Sequence, residues 1–404
     1  VSHFAAISKL MEVPTAARCS GACIRTLEGH GNVVRSAVFS PDACTVLTAS
    51  HDCTAKLWDV ATGECLQTFR GHANWVLHAC FSPDGSSVLT SSSDDFTAKL
   101  WSVASGDCTH DFEGHENWVR SAVFSHNGAM ILTASDDMTA RVWRVSDCEC
   151  LRILTGHSNW VRCASFSPDD KSVLTASDDS TARLWNVECG ECMLCFEGHS
   201  DWVQSAEFSN IGDLILTASR DFSAKVWNTS DTTCKQSLEG HTDWVNTACF
   251  SDDSQLALTA SRDCTAKLWC VASGACLQTF RSHVREISTA VFSTRSLFVL
   301  TASHDCTAKL WDIQTGECLT TLEGHNKIVT SAAVSLACDS VVTASRDNTA
   351  RIWSIDFSNY AMQLPETLPE EPVETGDTPW IWTHSTLEGH NDWLQSITVA
   401  RDGS

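Results

Sequence analysis

Positive charge is what this sequence is short of: 404 residues carry 27 Lys and Arg against 50 Asp and Glu, a formal charge of −23. An acidic field of that size repels phosphate and forgoes counterion release, which excludes nucleic acid as a bulk partner. Long apolar runs are also missing. No stretch of about 18 apolar residues exists to span a membrane, and residues 1–22 lack an apolar segment of signal-peptide length, so no membrane partner is expected and the expected location is cytoplasmic. There is no Gly-x-x-x-x-Gly-Lys-Ser/Thr loop and no zinc-protease motif. The chain starts at Val1 rather than Met and stops inside a repeat, which reads as a fragment of a longer product. Hydrophobic residues at 43% with only 19% charged exclude wholesale disorder.

What is present is a repeat. His30, His72, His115, His157, His199, His241, His283 and His325 lie 42 residues apart, with one gap of 43, and all but His283 follow a glycine. A tryptophan follows each histidine by 28 residues, or 29 in the second unit, from Trp58 to Trp353. Each of the eight units holds period-two runs such as 34–39, Val46-Leu47-Thr48-Ala49 and Ala55-Lys56-Leu57-Trp58, which predict three strands. Turns such as Ser40-Pro41-Asp42 separate the first two, and Cys65-Leu66-Gln67-Thr68-Phe69 predicts a fourth.

The pattern Gly29-His30 … Asp52 … Trp58-Asp59 resembles the WD-repeat β-propeller family across residues 23–353. The resemblance implies an all-β ring, most simply eight four-stranded blades closed by an N-terminal strand; seven blades plus an overhang, or part of a larger array, are the alternatives. Two segments compete to close the ring, Cys23-Ile24-Arg25-Thr26-Leu27 and the start of an incomplete ninth repeat in 385–404. Residues 1–22 form an N-terminal extension. Residues 354–384, with Pro365, Pro369, Pro372, Glu366, Glu370, Glu371 and Glu374 and no Lys or Arg, read as an acidic insertion.

Each unit also contains Asp, His, a hydroxyl and Trp: His30, Thr48, Asp52 and Trp58; His115, Thr133, Asp137 and Trp143; His157, Thr175, Asp179 and Trp185. The types suggest a catalytic triad. The resemblance implies instead a buried structural chain from indole to hydroxyl to imidazole to carboxylate, and eightfold repetition favours that reading. Cysteines recur seven residues before each histidine, from Cys23 to Cys318; one repeat apart, they are beyond disulfide reach and read as small buried hydrophobes. Cys189, Cys192 and Cys195 make the only local cluster and lack a fourth metal ligand. No metal, cofactor or catalytic residue is therefore expected.

In a repeat protein the unshared rim positions choose the partner. Three residues after the histidine stand Trp75, Trp118, Trp160, Trp202 and Trp244 in units two to six. Two residues further come Arg35, Arg120 and Arg162, and Arg220, Arg262 and Arg346 precede the repeated aspartate where units two to four carry Asp94, Asp136 and Asp178. Aromatics beside arginines are the composition of interaction hot spots. The competing reading is sideways packing, with Arg120 and Arg162 paired to Asp136 and Asp178. The expectation is a non-catalytic scaffold or adaptor, one ring within a larger complex, holding a protein partner of net basic charge on a two-sided rim. The near-identity of Thr48–Trp58 and Thr301–Trp311 also resembles arrays fused to signalling NTPases, and the Thr-Ala-Lys/Arg-x-Trp strand resembles eight-repeat axonemal dynein adaptors. A propeller enzyme or metal-binding protein is the remaining alternative.

Overall fold

A computed structural model describes residues 20–356. The proposed extension up to residue 19, most of the acidic insertion and the incomplete ninth repeat lie outside the described residues. Eight antiparallel four-stranded sheets follow one another around a ring. Blade 1 runs inner to outer through Val34–Phe39, Thr45–Ser50, Thr54–Asp59 and Cys65–Arg70, and blades 2 to 7 repeat that order. In blade 8 the N-terminal strand Ser20–Leu27 takes the outer place beside Ala350–Asp356. It starts three residues before the segment expected from the repeat. Closure by this strand leaves no blade with a missing edge.

The core is a ring of interfaces. Leu47, Leu57 and Phe69 of blade 1 pack with Val76, Phe81 and Trp101 of blade 2, while Val34, Phe39 and Trp58 pack with Leu27, Val342 and Ile352 of blade 8. Each blade buries both faces, one against each neighbour, which explains why the middle strands read as near-continuous apolar runs.

Inner strands have one edge without a strand partner, facing the channel. Side chains of neighbouring blades satisfy part of it: Ser331 Oγ accepts the N–H of Ala37, Glu207 Oε1 that of Phe250, and Thr330 Oγ1 donates to the carbonyl of Val34. His78 belongs to this set, with Nδ1 3.1 Å from the carbonyl of Ala122. Burial pushes its imidazole down from the usual 6.5 to about 4.

The cysteines preceding each histidine depart from expectation. Cys23, Cys65, Cys108, Cys192, Cys234 and Cys276 are exposed and Cys150 and Cys318 half-buried. The reason is local: the pairing of third and outer strands shifts register beside the tryptophan, as between Leu57 and Trp58, and puts Cys65 at the start of an edge strand with one face open. Its Sγ lies 3.3 Å from the carbonyl of Gln67.

Because the folded state holds His78 neutral, its contribution to stability is complete above pH 6.5 and is lost as pH falls towards 4. Against His78→Ser, the residue blades 1, 3, 5 and 8 use there, the wild type should lose about 1–3 kcal/mol more between pH 7 and pH 4. Urea unfolding at both pH values reads this; parallel losses would contradict it.

Candidate rim interface

The rim is positioned by the chain that first looked catalytic. In all eight blades the indole Nε1–H donates to a threonine Oγ1 at 2.8–2.9 Å. That hydroxyl lies 2.7–2.8 Å from histidine Nε2. Histidine Nδ1 is 2.6–2.8 Å from an aspartate Oδ2. Protonation at Nδ1 gives every donor an acceptor. Thr48 and Thr175 are 0% exposed and His30 and His157 7%, so no substrate can reach the hydroxyl. In seven blades a glycine precedes the histidine: Gly71 has φ 158°, and a Cβ there would meet Cη2 of Trp101 at 3.1 Å, whereas blade 7 makes the same chain with Ser282.

Burial alone would raise each aspartate's pKa, but hydrogen bonds from the histidine, a following hydroxyl and backbone N–H groups outweigh it. Asp52, Asp137, Asp179, Asp221, Asp263, Asp305 and Asp347 are held below the usual carboxylate range, and Asp95 falls to about 2. The aspartate also fixes the loop that carries the rim residues. In blade 4, Asp179 Oδ2 accepts the N–H of Ser158, Ser177 Oγ donates to the carbonyl of Asn159, and Asn159 Oδ1 accepts the N–H of Trp160. The N–H of Asp178 then donates to the carbonyl of Trp160 at 2.9 Å. That bond brings the position three after the histidine beside the one before the aspartate.

These positions form a continuous belt. His51 stacks on Trp75 at 4.4 Å and Trp75 meets Trp118 edge-on at 6.3 Å. The Arg120 guanidinium lies between Trp118 and Trp160, at 4.8 and 5.6 Å, and Arg162 between Trp160 and Trp202, at 5.2 and 5.1 Å. Arg220 sits 3.9 Å from both Trp202 and Trp244, and Arg262 4.3 Å from Trp244. The slot between two indoles is thus filled from the inner strand in blades 3 and 4 and from the turn before the third strand in blade 5, while Arg262 of blade 6 ends the arc between Trp244 and Glu286.

The packing alternative and an open surface coexist here. Arg120 and Arg162 do pair with Asp136 and Asp178 through two hydrogen bonds each, yet Trp75 is 39% and Trp160 37% exposed. The expected two-sided charge is corrected by those pairs, because Asp136 and Asp178 are buried and neutralised. Asp94 is exposed but engaged by Asn74 and the Trp118 indole. Arg35 and Arg346 lie apart from the belt, where blades 8 and 1 carry no tryptophan. Sequence reasoning missed Met138 and Phe222, each 43% exposed in the turn after the aspartate. The signal was there: large apolar residues where blade 8 has Asn348.

Among the described residues, no group of three or more His, Cys, Asp or Glu side chains is arranged to hold a metal ion. Cys189 and Cys192 are exposed, and Cys192 and Cys195 engage different oxygens, the Leu194 carbonyl and Glu197.

The family model for the WD domain, G-beta repeat, matches eight successive segments: 21–59, 63–102, 106–144, 148–186, 190–228, 232–270, 274–312 and 316–354. The chain belongs to the WD-repeat family. Propellers of this family are typically non-catalytic scaffolds for protein interaction. No curated protein matches this chain. Among solved structures, the computationally designed Ika8 protein is similar, with 27% identity, a TM-score of 0.74, and coverage of 81% of this chain and 98% of that one. That likeness concerns the fold.

Three outcomes follow for this WD-repeat ring. The tetrad aspartates contribute stability that is complete above the ordinary value of 3.8 and lost as pH falls below it. Thr175→Val, which orphans the Trp185 and His157 nitrogens, should cost about 2–4 kcal/mol; a Tm unchanged from wild type would contradict the buried assignment. Phe222 has φ 71°, a left-handed conformation that Asn tolerates and Phe does not favour. Phe222→Asn should therefore stabilise the ring by about 0.5–1 kcal/mol in urea unfolding; a lower midpoint would show that Phe222 is held by packing.

Proposed function

We propose that this chain is a non-catalytic scaffold that holds a partner protein across the tryptophan–arginine belt. The observation that carries the reading is the belt: five indoles interleaved with arginines on one rim, two of them more than a third exposed. Desolvated aromatic and arginine side chains dominate binding energy at protein interfaces, and here they are held rigid, so little side-chain entropy is lost on docking. Met138 and Phe222 extend the apolar surface along the same rim, each in a backbone conformation that a large apolar side chain does not favour. The charge of −23 supports a partner of net basic charge. Each blade is sealed against its neighbours, which supports a monomeric ring that enters a complex through its rim. The twenty free thiols of the described residues support a reducing compartment such as the cytoplasm.

The test compares wild type with Trp75→Ala/Trp160→Ala in affinity capture from native extract, followed by titration with the captured protein. The doubly substituted ring should keep its Tm within a few degrees and bind at least about tenfold more weakly. Retention of every partner at wild-type affinity would refute the belt as the interface.

A further inference from the structure

The belt is open where blades 7, 8 and 1 meet, and the residues at the opening differ from their counterparts in one direction. Two residues after the tetrad histidine, blades 1 to 6 carry Asn32, Asn74, Asn117, Asn159, Asp201 and Asp243. In each, the side-chain oxygen accepts the next residue's N–H at 2.7–2.9 Å. Blades 7 and 8 place Arg285 and Lys327 there, side chains with no acceptor to offer. Two loops have exchanged a turn-stabilising group for a cation.

Arg346 shows the same divergence. It is the counterpart of Arg220 and Arg262, but the residues beside its slot are Ile328 and Val33 instead of tryptophans. Together Val284, Arg285, His304, Lys327, Ile328 and Arg346, with Asp305 and Cys306, line a cleft of about 470 Å³. Val284 is 80% exposed. Arg35 stands alongside on the channel wall. Its side chain is exposed, with Arg346 as a neighbouring like charge.

Two acids stand nearby, and Asp305 is in the cleft wall itself, one carboxylate against three cations. Glu286 engages Arg262 and His304, and Asp305 engages His283, Thr307 and the N–H of Val284. Arg35, Arg285, Lys327 and Arg346 make no ion pair among the described residues. Unpaired cations gathered in a protein of charge −23 form a local positive field that a short anion can enter. A long polyanion would extend past the screening length of about 8–10 Å and meet the acidic remainder.

We propose that this cleft binds an acidic peptide segment of the partner held on the belt, with Asp or Glu carboxylates on Arg285, Lys327 and Arg346 and an adjoining apolar side chain against Val284 and Ile328. The inference rests on the scaffold reading and adds the chemistry of one part of the partner. Arginine supplies a fork for a carboxylate and lysine a point charge. The apolar wall selects for a hydrophobic residue beside the acid.

The experiment titrates the full chain with a labelled twelve-residue peptide alternating Glu and Leu, alongside its Lys-for-Glu and phosphoserine-for-Glu forms. The variant Arg285→Asn/Lys327→Asn/Arg346→Asp uses residues that other blades place at these positions, so folding should survive, and a thermal melt checks it. Wild type should bind the Glu peptide, more weakly as salt rises, and the variant at least tenfold more weakly. Equal affinity in the variant, equal binding of the Lys form, or binding of the phosphoserine form alone would overturn the proposal. Trp75→Ala/Trp160→Ala should leave peptide affinity unchanged, so failure of the cleft and failure of the belt are separately visible.

Discussion

Everything on the rim depends on one hydrogen-bonded chain repeated eight times. A buried tryptophan N–H, threonine hydroxyl and imidazole would each cost free energy if left alone in the interior; in series they satisfy one another and end on a carboxylate that can still reach backbone N–H groups at the surface. The chain thus ties the inter-blade core, where the indole packs, to the loop that carries the rim side chain. In blade 4 the path runs from Trp185 through Thr175 and His157 to Asp179, and from Asp179 to the N–H of Ser158, two residues before Trp160.

Repetition separates the two roles a polar cluster can have. A site that performs chemistry is needed once and must admit a substrate, whereas these hydroxyls are sealed and recur in every blade. Individuality lies in positions the chain leaves free: two, three and five after the histidine, and before the aspartate. There the blades divide into an aromatic arc over blades 2 to 6 and a cationic opening over blades 7, 8 and 1. A single rim so divided presents two kinds of surface, one aromatic and apolar, the other charged.

The ring and its strand pattern were legible because each rests on local spacing. The 42-residue interval, the alternation and the tetrad members are properties of one unit, copied eight times. What was misread depends on neighbours. The recurring cysteines looked buried because small apolar residues usually are, but a register shift beside Trp58 leaves Cys65 on an open edge. Asp136 and Asp178 looked like a free acidic side of the rim, but the bidentate pairs with Arg120 and Arg162 remove their charge. Arg285 and Lys327 passed unnoticed, though comparison with Asn117 and Asn159 would have found them.

The sequence by itself determined the blade, its eightfold repetition and the residues of the buried chain, because these follow from strand periodicity and from polar groups that must be paired within one unit. Only the tertiary structure decided that Ser20–Leu27 completes blade 8, that arginines from two different positions fill equivalent slots between indoles, and that Arg285, Lys327 and Arg346 line one cleft. These outcomes depend on which blade faces which across the ring, and the spacing within a single unit carries no information about its neighbour's side chains.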